Sequence, residues 1–211
     1  MKKYITEFIG TFFLVLVVGL TGNPLAIGAV LMVMIYAGGH ISGGHYNPAV
    51  TLAVLIRHRI QPGEAAVYMG SQLAGGFVAA LLVGVFRELP LVADQPIDIT
   101  KALIAEILGT FALAYVVLNV ATAKANAGNS YFGLAIGFTV LAMAYCFGAF
   151  SGGAFNPAVA VGASVMNAFE WSNIWIYILG CFAGAALAAI VFNAINPDEK
   201  LPETGPAAMI D

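Results

Sequence analysis

The sequence predicts an all-α membrane protein: six transmembrane helices plus two re-entrant half-helices, arranged as an inverted repeat of three spans. Three observations carry that expectation. The 211-residue chain is 61% apolar and only 9% charged, whereas soluble domains carry about 25% charged residues. Its apolar stretches recur at lengths that cross a hydrocarbon core of ~30 Å. A polar phrase, Ser-Gly-Gly-His-Tyr-Asn-Pro-Ala-Val over Ser42–Val50, returns as Ser-Gly-Gly-Ala-Phe-Asn-Pro-Ala-Val over Ser151–Val159.

Taken in order, the expected spans lie near Ile5–Leu20, Leu25–Gly39, Ala65–Phe86, Ala102–Ala121, Gly133–Phe150 and Asn173–Phe192. The first reads as a span rather than a cleaved signal. It begins almost at Met1, carries Glu7, and has no small-residue cleavage site with a polar segment behind it. Between the second and third spans, and again between the fifth and sixth, the repeated phrase leads into Pro48–Ile56 and Pro157–Met166. Nine or ten helical residues reach only ~15 Å, half the hydrocarbon thickness. Asn is favoured at a helix cap and Pro at the first helical position, so Asn47-Pro48 and Asn156-Pro157 are predicted helix starts. The glycine-rich lead-ins before them (Gly43-Gly44, Gly152-Gly153) are extended backbone that must be buried or line a wet cavity.

The duplication reaches beyond the phrase. Leu25–Val50 and Leu134–Val159 are identical at 14 of 26 positions, and Glu7-x-x-Gly10-Thr11-Phe12 is echoed by Glu106-x-x-Gly109-Thr110-Phe111. Three spans per half is an odd number, so the second half enters from the opposite face and the halves are inverted. The half-helices then dip in from opposite sides, and their N-termini meet near the midplane. Small residues such as Gly75 with Ala79, Gly180 with Gly184 and Ala188, and Gly133 with Gly137 suit close helix contact in lipid. Six spans put both termini on one side. Lys2, Lys3, Arg57, Arg59, Lys124 and Lys200 fall on that side against Arg87 and Lys101 on the other, which predicts cytoplasmic termini. The segment from Asp198 to Asp211 is expected to be a mobile tail.

The caps also have chemistry. A capping Asn accepts backbone N–H groups through its side-chain oxygen and presents its NH₂, a pure donor. Asn47 and Asn156 would place two such donors at the positive ends of two short helices. A water between them turns its oxygen toward both, so it passes no proton along a file, and cations are repelled.

With both Asn-Pro-Ala boxes, the Ser-Gly-Gly-His lead-in and the paired Glu-x-x-Gly-Thr-Phe openings, the chain resembles the aquaporins, the major intrinsic protein family, over essentially its whole length. The resemblance implies one channel domain over residues 1–194, with repeats at about 4–86 and 101–193, and a cytoplasmic tail at 195–211. It implies a pore midplane at Asn47, Pro48, Ala49, Asn156, Pro157 and Ala158, and a selectivity filter at Ile27, Ala144, Gly153 and Val159. It also implies a homotetramer with one pore per subunit. Most relatives have Arg where this chain has Val159, and water-selective members add an aromatic and a His; plant vacuolar members share the Val. Glycerol facilitators place Asp where Ala160 stands. A wide, apolar filter is therefore expected, conducting water with small neutral solutes such as ammonia, hydrogen peroxide or urea. A facilitator mainly for an uncharged solute, glycerol included, is the alternative. The short connectors suit a microbial inner membrane.

Each remaining candidate has a plainer reading beside it. Glu7 and Glu106 are ionisable groups inside spans and so functional candidates, but their symmetry favours bracing of the lead-ins. His45 has no counterpart in the second half; it braces its lead-in or touches the inner mouth. His40 reads as lining or packing, and His58 as cytoplasmic. Tyr36, Tyr145 and Phe150 read as packing before pore, and Trp171 and Trp175 as an interfacial belt. Cys146 and Cys181 read as small buried hydrophobes. A net charge of −3 offers no face for nucleic acid, no ligand set suggests a metal or other cofactor, and no nucleophile–base pair suggests an enzyme. An ion-coupled secondary transporter also uses inverted repeats and broken helices, but the sequence offers no intramembrane Asp, Lys or Arg as a coupling site. A junction protein on the same scaffold would want larger outer loops.

Overall fold

The computed structural model describes residues 1–88 and 97–199, and all regular structure among them is helical. Eight α-helices follow one another: α1 (Lys2–Thr21), α2 (Pro24–Ser42), α3 (Pro48–Ile56), α4 (Pro62–Phe86), α5 (Ile99–Thr122), α6 (Phe132–Ser151), α7 (Pro157–Val165) and α8 (Ile174–Ile195). Six are long and apolar enough to cross a membrane, and α3 and α7, nine residues each, are the half-helices. Met166 caps α7 rather than belonging to it. The sequence placed α4 and α5 three residues late because their starts are polar. Pro62 opens α4, and the Asp98 carboxylate accepts from Lys101 N at 3.1 Å to cap α5.

The turns that send the chain into the lead-ins are alike in both halves. α2 and α6 each end on a left-handed glycine, Gly43 and Gly152, at φ 87°, a conformation that a side chain would oppose. From there the backbone runs to Asn47 and Asn156 without regular structure and, contrary to the extended lead-ins expected, with left-handed turns at Gly44 and Tyr46 and at Gly153 and Phe155.

Packing follows the repeat. α1 lies along α4 and α5 along α8, while α2 crosses α6 at the seam between halves. That seam is backbone against backbone: a Cβ added to Gly28 would meet the Gly137 carbonyl at 2.6 Å, and one added to Gly137 would meet the Gly28 carbonyl at 2.5 Å. The Glu-x-x-Gly-Thr-Phe openings have a steric meaning too. Gly10 leaves room for the ring of Tyr46, and Gly109 for the ring of Phe155. Gly75, Ala79, Gly133, Gly137, Gly180, Gly184 and Ala188 are all buried. Among lipid tails, where burying apolar surface drives nothing, such close approach supplies the attraction between helices.

Two expectations change. Cys146 is exposed, facing outward from α6, and only Cys181 is buried. The tail is not free from its start, because Glu199 is hydrogen-bonded to Arg57 and to Lys124 N; residues 200–211 lie outside the described residues, as do 89–96 of the outer connector. Gly137→Ala should destabilise the protein by about 1–3 kcal/mol, because the carbonyl opposite it is backbone and cannot rotate away. Gly70→Ala, with open space around it, should be neutral. Thermal unfolding in detergent checks both.

Candidate functional site

Each lead-in is organised around one buried carboxylate. Glu7 on α1 accepts from Ser42 Oγ at 2.7 Å and His45 N at 3.0 Å through Oε1, and from Tyr46 N and Gln72 Nε2, both at 2.7 Å, through Oε2. Glu106 on α5 does the same in the second half, accepting from Ser151 Oγ at 2.7 Å, Ala154 N at 3.0 Å, Phe155 N at 2.7 Å and Cys181 Sγ at 3.4 Å. Both glutamates are fully buried. Ser42 and Ser151 also accept from Gly44 N and Gly153 N at 3.1 Å. The carboxylates hold Tyr46 and Phe155 at φ 47°, a left-handed conformation that a bulky residue adopts only when its surroundings impose it.

That turn delivers Asn47 and Asn156 to the helix starts. Asn47 Oδ1 accepts from Ala49 N at 2.8 Å and Val50 N at 3.4 Å; Asn156 Oδ1 accepts from Ala158 N at 2.9 Å. Pro48 and Pro157 open the helices, and Ala49 and Ala158 are fully buried behind them. The amide NH₂ groups behave differently from the sequence expectation. Asn47 Nδ2 donates to Phe155 O, and Asn156 Nδ2 to Tyr46 O, each at 2.9 Å. One hydrogen of each amide therefore ties the two halves together, and one remains.

Both asparagines line a cavity of about 610 Å³, far larger than the ~30 Å³ share of one water. Ile27, Ala144, Gly153 and Val159 line the same cavity. So do Gly44, His45, Gly153 and Ala154, whose carbonyls accept from no other described residue. The wall thus offers donors at the asparagines, acceptors along the lead-ins, and apolar side chains between. Arg87 is the one charged side chain among its described lining residues, and it donates to Gly19 O at 3.0 Å. Neither glutamate faces the cavity.

His45 has contacts on both sides. It lines the cavity, and its Nδ1 lies 3.0 Å from Thr51 Oγ1. Thr51 donates to Asn47 O at 3.0 Å and accepts from Gln72 Nε2 at 3.0 Å. A hydroxyl has one proton; with it on the Asn47 carbonyl, His45 Nδ1 is the donor and Nε2 is left an acceptor. The remaining side chains divide. Tyr36 packs on Phe132, accepts from Leu134 N and donates to Ser130 O. Tyr145 lines the cavity and so is not packing alone. His40 is exposed and is not among the residues lining this cavity, His58 is exposed, and Trp171 and Trp175 are exposed. Cys181 is more than a hydrophobe, since its thiol donates to Glu106. No group of acidic, His or Cys side chains among the described residues could hold a metal.

Six spanning helices and two half-helices that meet tip to tip beside a conduit define a membrane channel. The chain belongs to the major intrinsic protein family, whose model matches residues 1–192, and whose members are channels for water and small solutes such as glycerol. It is 36% identical over 217 residues to the glycerol uptake facilitator protein-like 6 of Lactiplantibacillus plantarum, covering 94% of this chain and 100% of that one. It is 35% identical over 219 residues to aquaporin NIP1-1 of Oryza sativa subsp. japonica, covering 95% of this chain and 76% of that one. Among solved structures, the aquaglyceroporin from Plasmodium falciparum has the same fold, with a TM-score of 0.81 at 22% identity over 95% of this chain and 99% of that one.

Replacing Glu106 by Gln would set an amide NH₂ against backbone donors that the carboxylate now accepts. Glu106→Gln and Glu7→Gln should each lower stability by roughly 1–3 kcal/mol. Glu64→Gln, which breaks only the exposed pair with Lys3, should change it by about 0–1 kcal/mol. Thermal unfolding of the purified variants reads both.

Proposed function

We propose that this chain is a passive channel that conducts water, passes small neutral solutes through a wide apolar filter, and excludes protons and ions. The observation that carries the reading is the placement of Asn47 and Asn156 on one cavity with Ile27, Ala144, Gly153 and Val159. Each asparagine is locked by its own helix and by the opposite lead-in, so its free N–H points where the protein holds it. Fixed donors cost no reorganisation when a solute passes, and at two helix N-termini they orient a water's oxygen and oppose a cation. The filter walls are Ile, Ala, Gly and Val, with no guanidinium, imidazole or aromatic group, which favours width over strict selection for water.

Carriage by a coupled ion is disfavoured by the engagement of both intramembrane carboxylates away from the cavity. A second reading, a facilitator mainly for an uncharged solute, is favoured by the same filter walls and by the glycerol facilitator named among the relatives. The residue-by-residue roles follow the proposal: midplane at Asn47, Pro48, Ala49, Asn156, Pro157 and Ala158, filter at the four positions above, bracing by Glu7, Glu106 and His45. Residues 1–194 act as one channel domain. The working unit is a homotetramer in a cell's plasma membrane, with both termini cytoplasmic and lipid around it.

Val159→Arg should slow urea and peroxide entry about tenfold, ~1.4 kcal/mol of added barrier, and leave water flux within a few-fold of the parent. Stopped-flow light scattering of proteoliposomes with several osmolytes tests this; undiminished urea and peroxide entry in the Arg form would remove Val159 from the filter. In the same vesicles, a pH-sensitive dye should report no proton flux above the empty-liposome rate in either form.

A further inference from the structure

On the face that carries the start of α1 and the end of α8, two segments converge on one carboxylate. Arg57, the cap of half-helix α3, donates to Glu199 Oε2 at 2.9 Å; Arg59 lies 3.9 Å from the same oxygen; Lys124 N, between α5 and α6, donates to Oε1. The arginine side chains are only 2% and 10% exposed. Arg57 also lies over the Phe192 ring at 4.9 Å, and Arg59 donates to Thr122 O at 3.3 Å.

Among the described residues the cluster is not balanced. Two guanidinium charges meet one carboxylate there, so a positive charge is left over in a buried place. Burial, and then the neighbouring Arg59, push Arg57 below its ordinary range. The Nε–H groups of both arginines are buried with no acceptor among the described residues. A buried donor without a partner carries its full desolvation penalty. Free phosphate carries more oxygens and more charge than a carboxylate, a phosphodiester headgroup matches its single charge, and both suit the planar fork of arginine.

We propose that Arg57 and Arg59 form a phosphate-binding site that the chain's own Glu199 fills in this structure. The ligand chemistry is a phosphate group, carried by an anionic lipid headgroup or free in solution. Its arrival displaces Glu199 from the end of α3, the half-helix whose other end is Asn47. The site lies outside the pore and does not depend on which solute the channel passes.

The test uses the full chain, purified in neutral detergent, as parent, Glu199→Gln, Arg59→Gln and the Glu199→Gln/Arg59→Gln double variant. One arm is native mass spectrometry with phosphatidylglycerol against phosphatidylcholine. The other is thermal unfolding in inorganic phosphate against chloride at equal ionic strength. Glu199→Gln should retain phosphatidylglycerol over phosphatidylcholine, or be stabilised by phosphate over chloride, about fivefold more in apparent affinity than the parent. Adding Arg59→Gln should reverse the gain by about the same factor, which is what one arginine contributes against an anionic headgroup. A response in the lipid arm alone assigns the headgroup as source, in the phosphate arm alone the free ion. If Glu199→Gln does not accumulate, Arg59→Gln must bind less than the parent in one arm. Equal binding by all forms, or a gain that survives loss of Arg59, overturns the proposal.

Discussion

Non-helical backbone at membrane depth leaves N–H groups that no bulk water reaches, and each bare one costs several kcal/mol. The lead-ins before Asn47 and Asn156 are such backbone, and this structure depends on how they are satisfied. A side chain that only accepts, has two oxygens, and can be buried without losing its partners is a carboxylate. Glu7 and Glu106 supply it, each accepting two consecutive backbone N–H groups and a serine hydroxyl. Burying a charge is itself expensive. Here the penalty is offset because every oxygen is used, and because the result is a fixed turn that no regular helix could make.

Once the lead-ins are fixed, the halves become interdependent. The carbonyl that Asn47 needs belongs to Phe155, and the one Asn156 needs belongs to Tyr46. Each of those residues is held by the glutamate of its own half. A change at Glu106 therefore reaches Asn47, the cap of α3 in the other half, through one residue. The halves have also diverged where symmetry was not required. Gln72 and Thr51 support His45 in the first half; at the equivalent places the second has Cys181, Ala160 and Ala154. The polar ladder on one side gives the conduit an imidazole that the other side lacks.

Much of this was legible in the sequence. The half-helices were readable because an Asn-Pro start is local chemistry: cap and first residue sit side by side, and α3 begins and ends where the pattern said. The pairing of Glu7 with Glu106 was readable because duplication repeats a function along with its residues. What escaped was non-local. Nothing near Asn47 announces Phe155 as its partner, since the bond spans more than a hundred residues. The repeat marks Gly10 and Gly109 without giving them a role, and only the folded chain shows that aromatic rings of the lead-ins lie on them. Cys146 misled because an apolar segment was equated with burial, whereas a membrane helix buries one face and gives the other to lipid or a neighbour. Glu199 misled because an acidic, proline-rich end was read by composition, and two buried arginines far away in sequence hold its first turn.

The filter positions bring the argument back to solvation. An ion entering a narrow apolar passage leaves its hydration shell and receives little in return, a penalty reaching tens of kcal/mol in a dry, low-dielectric medium. Ile27, Ala144, Gly153 and Val159 add no charge to reduce it. A neutral solute loses only hydrogen bonds, and the carbonyls of Gly44, His45, Gly153 and Ala154 together with the two asparagine N–H groups can replace several of them. In the proposed reading, discrimination against charge therefore does not require an arginine in place of Val159. What that guanidinium would add is bulk and a donor, both of which separate one neutral solute from another. In the proposed reading its absence leaves the barrier to ions high while the passage grows more tolerant of size, so that charge exclusion and solute selection would rest on different residues of the same wall.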